Sequence, residues 1–217
     1  MTPEGSVTPE GSVTPEGSVT PEDVVSAQFA ALESGDAALA ATCIHPAHVN
    51  HMAADEPPAC ARPGVPGFMA TSAWLHIAFS DLRFELIEMA TEGDRSIAHM
   101  WMRGTQTGPF TVFPPGGKPV AFPPTGREFA VRQCHVIRFR DGLSAEHIAV
   151  RDDLGMMTQL GHLPPTPAAW ARMARFQIGG GAKRAIAHAI EEAGRAAAAA
   201  QPAGAGEASA VAAPQAS

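Results

Sequence analysis

The chain reads as an α+β domain in which a curved antiparallel sheet packs against helices that precede it. Two observations predict this. Apolar residues recur at helical spacing up to about residue 79 and then switch to alternation. The alternating segments follow one another through turns or a Gly/Pro-rich loop, with no helix between them, which makes a meander rather than a βαβ repeat. Helices gathered on one face of such a sheet leave a hollow between the two layers.

The two ends of the 217-residue chain differ from the middle. Residues 2–19 are three copies of Thr-Pro-Glu-Gly-Ser-Val, and a fourth begins at Thr20. A six-residue period carrying Pro, Gly and a single Val can neither form a helix nor bury a core, so residues 1–19 are expected to be a disordered leader. One domain is expected over 20–164, a helical tail over 165–200, and a disordered Ala/Gly/Pro stretch over 201–217.

Order is expected to begin at Thr20-Pro21-Glu22-Asp23. A threonine cap, a proline in the first turn and acids behind it mark a helix start. Val24, Val25, Phe29, Leu32 and Leu39 follow at helical spacing, interrupted at Ser34-Gly35-Asp36, so two short helices are predicted. Pro46 to Pro66 reads as a loop in a histidine-rich stretch with His45, His48 and His51. Phe68, Met69, Trp74, Leu75 and Ile77 predict a helix from Pro66 to Phe79. Strands are then expected from Leu82, from Ile97, over 127–139 and over 143–152, with tight turns at 91–95 and at Asp141-Gly142. Gly104 to Gly126 reads as one long loop, and Asp153 to Leu160 as a short closing helix. In the tail, a helix from about Lys183 to Ala200 shows a weak apolar stripe at Ile186, Ile190 and Ala193.

Composition removes several function classes. The formal net charge is −7 and no predicted face collects Lys or Arg, which argues against nucleic acid as a partner. No apolar run approaches membrane-spanning length, and the N-terminus lacks the basic and apolar regions of a secretory signal. Cys43, Cys60 and Cys134 are odd in number and widely spaced. They read as reduced thiols of a cytoplasmic protein rather than a disulfide framework or zinc site. There is no tyrosine, so a phenol cannot serve as oxyanion donor here. Gly104 to Gly108 lacks the Gly-Lys-Ser/Thr ending of a phosphate loop, and neither Ser72 nor Ser144 sits in a nucleophile elbow.

An ordered set of short segments carries a resemblance. These are Ala78-Phe79-Ser80-Asp81-Leu82-Arg83-Phe84, Glu92-Gly93-Asp94-Arg95, Gly104-Thr105-Gln106-Thr107-Gly108-Pro109-Phe110, Pro123-Pro124-Thr125-Gly126-Arg127, Asp141-Gly142, Glu146-His147 and Asp152-Asp153-Leu154-Gly155-Met156-Met157. Val49-Asn50-His51 matches a short motif that follows the first helices. Taken together they resemble the SnoaL-like polyketide cyclase or ester cyclase family of the NTF2-like superfamily. The resemblance implies an NTF2-like cone enclosing a small-molecule pocket, a homodimer, and ring closure by an aldol step with no metal or organic cofactor. Two departures stand out. Thr111 to Ala121 is an insertion near the mouth of the cone, and it repeats a Phe-Pro-Pro unit. Ile148 stands where the family commonly has Trp after the Glu-His pair.

The resemblance also implies a general acid/base at the end of the last strand, which is Asp152 here. A carboxylate in an apolar hollow loses hydration and its pKa rises toward the working pH. The competing reading is that Asp152 or Asp153 caps the helix that follows, with Asp153 the better fit. Gln133 and His135 share a strand face with Val131 and Ile137, where they could hold a substrate carbonyl and stabilise an enolate, or form a hydrogen-bonded core pair. His135 is therefore the second catalytic candidate. His51, Trp101, His99 and Phe110 are the remaining substrate-binding candidates, with a loop histidine and a core tryptophan as the plainer alternatives. His147 has the opposite parity to Asp152 and is expected to face away from the pocket, and Arg132 and Arg138 to face outward. The spacing of His45, His48 and His51 in a proline-containing loop is a poor metal site.

These readings predict a cofactor-independent cyclase, with a non-catalytic binding module of the same shape as the alternative and hydrolysis as a third possibility. An exposed Asp152 would favour the binding module.

Overall fold

The computed structural model describes residues 19–202. The repeats and the final Ala/Gly/Pro stretch expected to be disordered lie outside the described residues, apart from the junctions at Val19 and at Gln201-Pro202. The elements run α1 (Pro21–Ser34), α2 (Ala37–Cys43), β1 (Ile44–Asn50), two 3-10 turns, α3 (Gly64–Ala78), β2 (Phe79–Glu92), β3 (Arg95–Gln106), β4 (Phe110–Val112), β5 (Val120–Phe122), β6 (Glu128–Arg140) and β7 (Leu143–Arg151). They end with α4 (Asp153–Gln159), α5 (Pro167–Ile178) and α6 (Gly181–Ala199).

The start of α1 is a reciprocal cap. Asp23 N–H donates to Thr20 Oγ1, and the Asp23 carboxylate accepts from Thr20 N–H at 2.9 Å. Gly35 ends the helix at φ +69°, a left-handed turn that favours glycine. Asp36 then caps α2.

Five strands form one sheet in the order β1-β7-β6-β3-β2, antiparallel except for β1 beside β7. Alternation sorts each strand into two faces. Ala98, Met100 and Met102 of β3, and Phe129, Val131 and Ile137 of β6, are buried against α1 and α3 on the concave face. The Phe79 ring packs at a tilt against both Phe110 and Phe129 in the same core.

Three expectations are corrected. Ile44–Asn50 is a strand, not part of a loop. Its single proline, Pro46, hides a parallel pairing to β7 that exists only in the fold. The Gly/Pro-rich stretch after Gly104 contains the small β4–β5 hairpin. Its entry is tight: a Cβ on Gly108 would lie 1.8 Å from Ile77 O. The stripe of α6 is alanine (Ala182, Ala185, Ala189, Ala193 and Ala197, all buried), while Ile190 is exposed. Small side chains let α6 lie close along α3.

Candidate active site

Two cavities meet between the helices and the concave face. The inner one has a volume of about 70 Å³ and is bordered by Gln28, His48, Asn50, Glu56, Thr71, His135 and His147 among others. The outer one, of about 360 Å³, is walled by Phe79, Phe110, Val112, Val120, Phe122, Met156, Met157 and Leu163. Trp74, Leu75, Met102, Gln133 and Arg151 border both. The inserted hairpin thus forms part of the outer wall. Trp74 Nε1–H ties it to α3, donating to Thr111 O at 3.1 Å and Oγ1 at 3.0 Å. On its far side Ala121 packs on Ala182 and Ala185 of α6.

Hydrogen bonds in the inner chamber have a direction. Asn50 Oδ1 accepts from Met52 N–H at 3.0 Å, which sets the amide, and it also accepts from His147 Nδ1 at 3.1 Å. His147 Nδ1 therefore carries the proton and its Nε2 is bare. That Nε2 lies 2.9 Å from His135 Nδ1, which must be the donor. His135 Nε2 is left as a lone pair with no hydrogen-bond partner among the described residues. Burial, and then the charge of Arg151, pushes the His135 pKa down to about 3. His147 is held well below the usual histidine range by burial first and then by His135.

On the helix side Glu56 is 4 % exposed. Thr71 Oγ1–H donates to its Oε2 at 2.6 Å, and Asn50 Nδ2 lies 3.5 Å from each carboxylate oxygen. Burial raises the Glu56 pKa, opposed by Thr71, Arg151, Cys60 and Asn50. Arg151 reaches from the chamber toward the surface, its guanidinium 3.5 Å from Asp153 and 3.9 Å from Asp55. Its Nε is buried and unpaired among the described residues, as are Gln28 Oε1 and His48 Nε2.

The sequence candidates divide. Gln133 and His135 border the inner chamber and Phe110 the outer one. Asp152 does not enter either, which meets the condition set above for a binding module, so a catalytic reading has to rest on other residues of the chambers. Asp152 is exposed at the N-terminus of α4, where its carboxylate accepts from Gly155 N–H at 2.8 Å, so Asp152, not Asp153, is the cap. His51 is turned outward onto Glu146 at 3.3 Å, and its neighbour Asn50 takes the inner place. His99 and Trp101 stand on the convex face, because β3 buries its even-numbered residues. There His99 pairs with Glu88 at 3.0 Å, and the guanidiniums of Arg103 and Arg132 each lie 4.9 Å from the Trp101 ring centroid. The three early histidines separate: His45 approaches Asp141, His48 turns inward and His51 outward.

His147 was expected to face away and instead faces inward. It does lie on the opposite face from Asp152, but that face is the concave one. The reason is a bulge at Ala145. Arg140 pairs with Leu143 and Phe139 with Ser144, but Arg138 pairs with Glu146. One extra residue flips the faces of everything after it. His147 comes opposite Ile137, and Arg151 opposite Gln133.

A family model described as SnoaL-like polyketide cyclase matches residues 22–160. The chain belongs to the SnoaL-like polyketide cyclase family. It is 32% identical over 149 residues to the aklanonic acid methyl ester cyclase DnrD of Streptomyces peucetius, covering 68% of this chain and 95% of that one. Among solved structures, TsrD from Streptomyces laurentii is 28% identical with a TM-score of 0.55, over 65% of this chain and 95% of that one. IdmH from Streptomyces antibioticus, a putative polyketide cyclase, shares the fold at 24% identity and a TM-score of 0.51, over 66% of this chain and 99% of that one. The NTF2-like cone of SnoaL-like cyclases is therefore the fold of this chain, and the family match together with the 32% identity to DnrD supports a cyclase function. Helices α5 and α6 lie beyond the match to the SnoaL-like model, yet α6 backs the hairpin that walls the outer cavity. Among the described residues no helix is long and apolar enough to cross a membrane.

Proposed function

We propose that the protein is a cofactor-independent cyclase that closes a ring in a hydrophobic, carbonyl-rich ester of the polyketide type. One observation carries the reading. Gln28 Oε1, His48 Nε2, His135 Nε2 and Arg151 Nε are buried without partners among the described residues, and all four side chains border one small chamber that opens onto an oily one. An unpaired buried polar atom costs about 1–3 kcal/mol. Such a group gathered at one end of an apolar cavity fits a ligand with oxygens at its head and hydrocarbon behind.

His135 is the base in this reading. Its Nε2 takes a proton from a carbon between carbonyls, and the His147–Asn50 chain behind it holds the ring in the required tautomer. Burial first, and then the Arg151 charge, keep His135 neutral, and the negative charge of an enolate formed beside it restores its basicity. Arg151 receives the enolate oxygen, and Gln133 orients the carbonyl. Phe110, Val112 and Phe122 hold the body of the substrate.

Aklanonic acid methyl ester is the test substrate. The expected product has unchanged mass and one more ring, and His135→Gln lowers kcat at least ~100-fold. Binding of this and related esters with no turnover would leave a carrier, not an enzyme.

A second copy of the chain is the partner proposed for the convex face. There Ile97, Val136 and Ile148 form one row across three strands, and His99, Cys134 and Val150 form the next. Val150 is 75% exposed. An apolar sheet face of this kind is normally covered. Light scattering reads the mass directly, and a monomer across the micromolar range removes the dimer.

A further inference from the structure

The base described above leaves half of the reaction without an agent. Ring closure turns a ketone into an alkoxide, and that oxygen needs a proton. We propose that Glu56 supplies it, as a second catalytic residue that faces His135 across the inner chamber. The proposal rests on the cyclase reading and adds the acid to it.

Glu56 comes from the turn between β1 and α3, so it enters from the helix side, whereas His135 enters from the sheet. Its two oxygens are not equivalent. Oε2 accepts the short bond from Thr71, while the Asn50 amide stands 3.5 Å from Oε1, which leaves Oε1 the freer oxygen to carry a proton. Asn50 ties acid to base, with its amide nitrogen toward Glu56 and its oxygen on His147, which in turn accepts from His135. The groups facing the carboxyl are Thr71 from α3, Asn50 from β1, Cys60 from the following turn and Arg151 from β7. Arg151 is the one formal charge among them. The histidines that share the chamber, His48, His135 and His147, are all held neutral by burial. Burial outweighs the groups that favour the carboxylate and raises the Glu56 pKa, the direction an acid needs.

The step balances. His135 Nε2 takes the proton from carbon, and the C–H electron pair becomes the enolate. The enolate carbon bonds to a ketone carbon of the same molecule, and the carbonyl π pair moves to its oxygen. The Glu56 carboxyl gives its proton to that oxygen. An imidazolium and a carboxylate remain, and one proton passing between them through solvent on product release restores both. The net reaction is an isomerisation and needs no oxidant or reductant.

Two measurements test the proposal separately from the cyclase reading. The first needs no substrate. The infrared spectrum of the wild-type protein at neutral pH should show a protonated-carboxyl band that Glu56→Gln removes. No such band means Glu56 is ionised and cannot be the donor. The second uses aklanonic acid methyl ester in D2O. Glu56→Gln should keep deuterium exchange at the acidic carbon within about threefold, while ring closure falls at least ~100-fold. His135→Gln should lose both. Equal loss of exchange and closure in Glu56→Gln, or closure at the wild-type rate, overturns the assignment. If Glu56→Gln does not fold, Thr71→Val keeps the acid and removes a bond that favours its ionised form. The alkaline limb of its kcat profile should then move to higher pH, and an unmoved limb overturns the assignment. A wild-type protein that neither exchanges nor cyclises the ester sinks the cyclase reading, whatever the infrared spectrum shows.

Discussion

The two ends of the cavity are built on different terms. The inner chamber is made of side chains that are buried, polar and bonded to one another: Glu56 to Asn50, Asn50 to His147, His147 to His135. The outer chamber is walled by Phe, Val, Met and Leu side chains, several from a hairpin whose outer side rests on α6. A change in the network propagates, because every member fixes the tautomer or orientation of the next. A change in the apolar wall stays local, because dispersion and burial add up atom by atom. On the proposed assignment chemistry and selectivity are separable, and variants at the two ends should fail in different kinetic constants.

The largest effect should come at the junction of the two chambers. Arg151→Met keeps the bulk of the side chain and removes the cation offered to the enolate oxygen. Loss of one such donor costs about 10²–10³-fold in kcat. KM should change far less, since the apolar wall is intact. A variant that raises KM with kcat untouched would show that Arg151 holds the ground state and not the enolate.

The next effect separates the chambers by pH. His135 and His48 are pushed down to about 3 and about 4, His147 lies well below its usual range, and His162, buried beside Gln106, is also near 4. All four have folded pKa values below that of unfolded histidine, about 6.5, so in that window the unfolded chain binds more protons. Stability should fall as pH drops from about 6.5 toward 4, by up to about 1.4 kcal/mol per pH unit for each histidine. Glu56 has the opposite sign. Its raised pKa makes the folded state the better proton binder above about 4.3, so it subtracts from the slope. Urea titrations between pH 7 and 5 should therefore give a shallower slope for His135→Gln and a steeper one for Glu56→Gln. Identical slopes in all three proteins would mean that the network does not set the acid lability. The outer chamber contains no titratable group apart from those near Arg151 at its border, and replacements there should leave the slope alone.

The same contrast decides what the sequence could reveal. The caps of α1, the long strands, the closing helix and the ordered family segments all depend on local spacing, and each was readable. The resemblance asked for an acid inside the hollow and addressed it to Asp152. Asp152 carries the expected residue type at the expected place, yet a helix begins one residue later and its free N–H groups claim the carboxylate. Glu56 lies in a turn where neither period two nor period 3.6 applies, so no pattern points its side chain inward. Strand parity identified residues on opposite faces but could not say which face was covered. For β3 the helices settle it against His99 and Trp101. For β7 the bulge at Ala145 settles it in favour of His147 and Arg151. A one-residue insertion in a strand leaves no compositional mark, so this part of the site was beyond the reach of the sequence.

The smallest effect should come from the outer wall. Val120 borders the outer cavity from the β4–β5 hairpin and is 39% exposed, so Val120→Ala removes two methyl groups that are only partly buried. A methylene in an apolar pocket is worth about 1–3 kcal/mol when fully enclosed, and less here. KM for the methyl ester should rise roughly three- to tenfold, with kcat and its pH profile unchanged. The hairpin itself should hold, because Ala121 remains seated on Ala182 and Ala185 and Trp74 still bonds Thr111. A fall in kcat from so peripheral a change would mean that the hairpin positions the reacting end of the substrate, and the division between a wall that selects and a chamber that reacts would have to be given up.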